Sequence, residues 1–458
     1  MGQLTEAACL IDQGAIFPNR IGFRGADGHT VLIGFKPGAC SIYFDDEPIY
    51  HFDLEGRWQR AFIGADPTNP ATPANLAGVP GTHYLKALDT TTTSLQRLRE
   101  GNEIKIHRNR LNFAETVDMD DHVRQMAMDL HHRIATGLLE PVSPPSTGRT
   151  AGRAVDLPEI LDFLERIATW ESSAWSRQKE RFESTFGILP MTPPSLPGPL
   201  VLQPLIGDSG ETPVGFGGSA TCPIYLRDRS EFHRHLENVK HLWQRRLTQA
   251  RGIYLAGSEV IHQPMPQVLE ILEEVEKNLA ELTIDLPGRV IDPPPTPQKT
   301  EIHMLTYSIG SSLPTVEMLA EYRQRGLAQL TIGIESASLA VREQYGRKWN
   351  ETDLVNFIKN CNEAGLKYSM VLLVGAGGSA HPENFDQTRN FIDSLPLETG
   401  TIIYLLDAAE TATSNWQNKM QIGESNATEL YTLRDRLAAH LKEREIRVTH
   451  YTLEKEWQ

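Results

Sequence analysis

Cysteine is scarce here: Cys9, Cys40, Cys222 and Cys361 are the only four in 458 residues, and they lie far apart. Such spacing excludes a disulfide scaffold and supplies no clustered metal-ligand set, so each reads as a free thiol. No run approaches the ~20 apolar residues of a membrane span, and the opening MGQLTEAACLIDQG lacks the basic start and apolar stretch of a signal peptide. Glu6 stands where a myristoylation signal would place Ser or Thr. The expectation is a cytoplasmic protein without a membrane partner. Positive charge is also in deficit. Forty-four Lys and Arg against 59 Asp and Glu leave a net charge of −15, which argues against broad wrapping of nucleic acid. No HxxxH or HExxH spacing joins His233, His235, His241 and His262, which read as helix-surface and loop histidines.

The length has room for two or three units. Residues 1–140 read as a small α+β domain, with strands at TVLIGF, CSIYF and PIYHFD and helices at SLQRLREG and MDDHVRQMAMDLHHRIATG. Its stretches hold Asp53, Arg57, Trp58, Arg60, His83, Tyr84 and Lys86. That mixture suits an anionic or aromatic ligand, and equally a buried Asp–Arg pair pinning a hairpin. No nucleophile and base stand together to name a reaction, and no catalytic residue is assigned. Residues 141–198 read as a Pro-rich linker carrying one amphipathic helix near 157–184.

From 199 the pattern becomes alternating strand and helix, with apolar strands at PLVLQPL, GIYLAG, EIHMLTYS, AQLTIGIE, KYSMVLLVG and TIIYLL. Between them lie amphipathic helices, one with Val268, Leu272, Val275 and Leu279 on a face, another with Leu354, Phe357, Ile358 and the core thiol Cys361. This is the α/β signature of a parallel sheet covered by helices, spanning 199–410, with 411–458 as a helix-and-strand extension. In such folds chemistry gathers at the C-terminal strand ends. There the sequence places Ser258 and Glu259, Tyr307 and Ser308, Glu335 and Ser336, and the turn of Gly375, Gly377 and Gly378. Glu335 follows the apolar run LTIGI, so its carboxylate needs a partner or a ligand.

The segment LTIGIESASLAVREQYGRKWNETDLVNFIKNCNEAGLKYSMVLLVGAGG resembles the radical S-adenosylmethionine (SAM) superfamily, in the branch of the elongator catalytic subunit and oxygen-independent coproporphyrinogen oxidase. GIYLAGSEV is similar to the strand whose end carries that family's Gly-Gly-Glu contact to the methionine amine. The likeness covers about 199–406 and implies a six-stranded partial (β/α)6 TIM-like barrel. It also implies a CxxxCxxC loop holding a 4Fe–4S cluster. Aligning Cys222 with the third cysteine puts Gly215 and Ser219 where the first two thiolates belong, while CPIYLRDR resembles the family's stretch from its last cysteine into the first helix. The loop therefore reads as a degenerate remnant, with Cys222 its relic position and no cluster expected.

The leading expectation is a cluster-free protein of that fold that binds SAM, or a related nucleoside ligand, through Ser258, Glu259, Ser308, Glu335, Gly375, Gly377 and Gly378. Its role would be binding, regulation or partnership with another protein. The rivals are an active radical enzyme with unorthodox cluster ligands, a transferase re-using the cleft, and a structural subunit of an intact homologue.

Overall fold

A computed structural model describes residues 20–36, 38–45, 48–64, 81–100, 103–142, 156–187, 194–196, 198–208, 222–250, 252–279, 301–307, 309, 313–344, 349–375, 385–408 and 427–451. The Pro-rich stretch 143–155 lies outside them.

The first sheet is built from β1 (Arg20–Gly25), β2 (Thr30–Lys36), β3 (Ala39–Phe44), β4 (Ile49–Asp53), β5 (Trp58–Gly64), β6 (Gly81–Lys86), β7 (Thr92–Glu100), β8 (Glu103–Arg110) and β9 (Leu139–Pro141). It is an antiparallel meander in the order β8-β7-β6-β5-β4-β3-β2-β1-β9. Strand alternation places Val31, Ile33, Cys40, Ile42, Tyr50 and Phe52 in one core. Three helices follow: α1 (Phe113–Ala135), opened by a reciprocal capping box between Asn112 and Glu115, α2 (Leu157–Ala168) and α3 (Ser172–Thr185). Met119, Val123 and Ala127 of α1 and Ile160, Phe163, Leu164 and Ile167 of α2 close that core.

Two expectations fail in this region. SLQRLRE is strand, not helix, because Leu95 and its neighbours pair with β6 on one side and β8 on the other. Ladder pairing there outweighs the helical spacing of the leucines. The segment after 156 is no linker with one helix either: it forms α2 and α3, and the apolar face of α2 belongs to the core of the first sheet.

The second sheet is parallel throughout, in the order β10 (Leu200–Leu202), β13 (Ile253–Leu255), β14 (Ile302–Thr306), β15 (Leu327–Glu335), β16 (Lys367–Val374), β17 (Ile402–Asp407) and β18 (Arg447–Tyr451). Its helices are α4 (Arg229–Trp243), α5 (Met265–Leu279), α6 (Val316–Gln324), α7 (Leu339–Gln344), α8 (Glu351–Glu363), α9 (Phe385–Ser394) and α10 (Ala427–His440). All six expected strands form, and the sheet has a seventh. The strand of the C-terminal extension, β18, pairs in parallel along β17 from Ile402↔Arg447 to Leu406↔Tyr451. Its sequence RVTHY is too polar to stand out as a buried strand because it occupies an edge of the sheet. Between β10 and α4 a small antiparallel hairpin intervenes, β11 (Leu205–Asp208) with β12 (Cys222–Leu226).

Arg57 joins the two sheets' cores. Its Nε donates to Asp53 Oδ2 at 2.6 Å, while Nη1 and Nη2 donate to the carbonyl oxygens of Leu242 and Trp243 at 2.6 and 3.0 Å. Those carbonyls end α4, so a guanidinium from the first unit caps the first helix of the second. No helix among the described residues is long and apolar enough to cross a membrane.

Candidate functional site

At the carboxyl end of β15 the ladder with β16 slips by one residue between Gly333 and Glu335. Glu335 emerges from this bulge in the left-handed region, at φ 59°, and is 1% exposed. A non-glycine residue in that region is disfavoured by its Cβ, so the surrounding packing must hold the turn. Much of that holding comes from Arg342 of α7. Its Nη1 donates to the carbonyl oxygens of Ser336 and Ala337, both at 3.0 Å, and its guanidinium lies 4.7 Å from the Trp349 ring centroid and 5.2 Å from that of Phe391. Glu351 adds an ion pair at 3.6 Å.

Neighbouring strand ends supply further polar groups. Tyr307, just past β14, packs its ring on the Gly333 backbone. Thr306 is buried and its Oγ1 lies 3.0 Å from His262 Nε2. Ser258 and Glu259 sit half-buried in the turn after β13. Gly375 follows β16 at φ 81°, a conformation that glycine adopts freely, with open space where a Cβ would stand. The expected strand ends of β13, β15 and β16 thus carry Ser258, Glu259, Glu335 and Gly375, while Ser308, Gly377 and Gly378 lie outside the described residues. Asp407, 6% exposed at the end of β17, escaped the sequence reading. Its signal was the same as that of Glu335, a carboxylate directly ending an apolar run.

Cys222 does not stand in a loop. It opens β12, its backbone opposite Asp208. The hairpin is tied to the end of β10 through Gln203, whose carbonyl oxygen accepts from Arg227 Nε at 2.9 Å. The Gln203 N–H in turn donates to His235 Nε2 at 2.9 Å, leaving Nδ1–H to donate to the Thr185 carbonyl oxygen at 3.1 Å. His235 is therefore a buried, neutral structural group and not a surface histidine; burial holds its pKa down at about 3. Its partner on the helix, His233, remains at the surface beside Glu274.

The other described cysteines are remote from these strand ends. Cys40 is fully buried in the core of the first sheet, and Cys361 is fully buried on the apolar face of α8. Burial raises both thiols, Cys361 to about 12, the opposite of what a thiolate ligand requires. A hollow of ≈ 880 Å³ lies away from the carboxyl ends, lined by Ile402, Tyr404, Arg447 and Thr449 at the beginnings of β17 and β18.

No protein-family model matches the chain, and no curated protein does. Solved structures do match, among them radical SAM enzymes. The cobalamin-dependent S-adenosylmethionine radical enzyme OxsB is 13% identical over 43% of this chain and 27% of its own, with a TM-score of 0.31. Coproporphyrinogen III oxidase HemN from Escherichia coli, a radical SAM enzyme, is 11% identical over 57% of this chain and 55% of its own, with a TM-score of 0.33. HydG, a maturase of the FeFe-hydrogenase, is 10% identical over 72% of this chain and 65% of its own, with a TM-score of 0.32. The chain thus spans about a quarter of OxsB and about half of HemN. Overlaps at these scores say nothing about ligand or chemistry.

Proposed function

We propose that this chain is a radical-SAM-like protein that binds SAM or a related nucleoside ligand across the carboxyl ends of its parallel strands, without a thiolate-held cluster. It acts by binding, regulation or partnership rather than by radical chemistry. The observation that carries this reading is the mismatch between two parts of one site. The strand-end turn at Glu335 is kept in a costly left-handed conformation, braced by Arg342, as a group built for a task would be. Among the described residues the donor set for a cluster is absent beside it. A 4Fe–4S cluster open to SAM needs three thiolates. Cys40 and Cys361 are each committed to a hydrophobic core, which leaves Cys222 alone on the segment after the first strand among the described residues. Among the described residues no three thiolates stand together to hold the cluster.

For the organic ligand, the groups at the strand ends support the reading. Glu259 and Glu335 are carboxylates at the ends of β13 and β15, the strands on either side of β14, the kind of acceptor that takes ribose hydroxyls or an ammonium group. Gly375 presents backbone with no side chain in the way. SAM or a nucleoside would supply the ribose diol, and SAM a cationic amine and sulfonium; the chain's part is to bind and orient them.

The test is anaerobic reconstitution with iron and sulfide, then iron analysis, alongside calorimetric titration with SAM, S-adenosylhomocysteine and adenosine. Substoichiometric iron with saturable heat from one of these ligands is the expected result. Stoichiometric iron with a paramagnetic signal that responds to SAM would return the chain to the radical enzymes. Silence from every ligand would remove the nucleoside.

A further inference from the structure

The hollow at the beginnings of β17 and β18 joins hydroxyl and apolar groups to a pair of cations. Ile402 pairs with Arg447 and Tyr404 with Thr449, so these four side chains stand in two rows on one face of the sheet, and Ser195 lines the hollow with them. Its ≈ 880 Å³ suits a small molecule. Tyr404 is 8% exposed, and burial raises its phenol, which stays protonated as a donor. Among the described residues its hydroxyl has no hydrogen-bond partner. The Ser195 hydroxyl is held 3.1 Å from His303 Nδ1.

The turn between α10 and β18 shows which cations the fold uses for itself. His440 Nε2 lies 2.9 Å from Asp393 Oδ2, and Arg444 Nη1 lies 3.4 Å from Oδ1 of the same carboxylate while Nη2 donates to the Leu395 carbonyl oxygen at 3.4 Å. Lys442 and Arg447 line the hollow instead, and their side chains have no ion-pair or hydrogen-bond partner among the described residues. Glu445 also lines it, so two cations stand against one carboxylate and leave an excess of one positive charge. The backbone that carries these groups is fixed in advance. Glu445 takes the left-handed region at φ 54°, where its Cβ is disfavoured and the surroundings must hold it. Its N–H donates to the Lys442 carbonyl oxygen at 3.1 Å, its own carbonyl oxygen accepts from the Gly400 N–H at 3.2 Å, and the Arg447 N–H donates to the Thr401 carbonyl oxygen at 3.0 Å. An anion arriving here meets cations on a backbone that is already ordered, which lowers the entropy lost on binding.

We propose that this hollow binds a small organic monocarboxylate, with Arg447 and Lys442 on the carboxylate, the Tyr404 hydroxyl as a further donor and Ile402 against the apolar body. The planar fork of a guanidinium matches the two oxygens of a carboxylate. A single negative charge answers the excess of one, whereas a phosphate monoester would bring a second charge close to Glu445. The site is separate from the carboxyl strand ends and stands whether or not a nucleoside binds there.

The experiment uses the full chain at constant ionic strength, with benzoate, hexanoate, the neutral benzamide and phenyl phosphate as probes, read by calorimetry and by saturation-transfer magnetic resonance of the probe. Saturable binding of benzoate or hexanoate with a stoichiometry near one is expected, undisturbed by excess SAM, with benzamide about tenfold weaker than benzoate. Arg447→Gln, at an exposed position on the edge strand, should melt as the wild type does and bind benzoate about tenfold more weakly. Arg447→Lys keeps the charge without the fork and should lose part of that affinity. Glu445→Asn suits the left-handed backbone and removes the opposing charge, so it should bind benzoate more tightly and melt no earlier. Indifference of the wild type to both carboxylates would overturn the proposal. So would equal binding of benzoate and benzamide, tighter binding of phenyl phosphate than of benzoate, displacement of benzoate by SAM, or an unchanged benzoate affinity in folded Arg447→Gln.

Discussion

The Tyr307 ring packs so closely on Gly333 that a Cβ added to Gly333 would collide with Cδ1 and Cε1 of the ring. Tyr307 follows the end of β14 and Gly333 lies two residues before Glu335 near the end of the neighbouring β15, so the contact packs directly beneath the Glu335 turn. Gly333→Ala should therefore cost about 1–3 kcal/mol through overpacking. A urea melt of the single variant checks this. Repeating it with Tyr307→Ala should shrink the cost, since the clash is the cause.

Glu335 should matter to ligand binding more than to folding. Glu335→Gln keeps the shape and the turn while removing the negative charge, and should weaken calorimetric binding of the nucleoside about tenfold. Glu335→Gly, at φ 59°, relieves a strain of roughly 1 kcal/mol and should fold no less well while losing the same binding. A variant that melts early but binds normally would make the carboxylate structural.

Arg57 is the linchpin of the junction. Arg57→Ala leaves Asp53 buried without its counter-charge and uncaps α4, a loss of about 3–5 kcal/mol. Equilibrium unfolding followed by two probes, one in each unit, should lose its coincidence in the variant.

His235 gives the chain an acid-sensitive contribution to stability. Its folded pKa is lowered from 6.5 to about 3, so between those values the unfolded chain binds a proton that the folded one refuses. The stability it provides is complete above the unfolded value and is lost as the pH falls through the window. From about pH 7 to about pH 5 the wild type should lose about 2 kcal/mol more than His235→Gln, whose amide can still accept from Gln203 N–H. Denaturant midpoints at the two pH values measure the difference.

Cys361 and Cys40 should resist alkylation in the native state and react once the chain is denatured, because burial both hides the thiols and raises them. Peptide mapping after timed labelling reads this directly. Rapid native labelling of Cys361 would mean that α8 does not pack as described.

The six central strands were legible because parallel strands buried on both faces must be nearly all apolar, and LTIGIE, YSMVLLV and IIYLL have no other explanation. Glu335 was legible for a related reason: a carboxylate that closes such a run stands where a strand leaves the core. Asp407 carries the same signature two strands further on. The residues of the first unit also raised the prospect of a buried Asp–Arg pair, which Asp53 and Arg57 form.

Only the tertiary structure decided what the pair does beyond its own hairpin. The carbonyls that Arg57 caps lie 185 and 186 residues away, and nothing local to Arg57 encodes which helix end will arrive there. The same holds for His235, a polar residue on a charged helix, buried because Gln203 and Thr185 meet it from two other elements. It holds for β7, whose spacing suits a helix until β6 and β8 flank it, and for β18, the strand of the extension, whose place beside β17 in the parallel sheet its polar sequence does not announce. Local pattern specifies burial and period. Partners distant in sequence supply the hydrogen bonds, and those are chosen by the assembled fold.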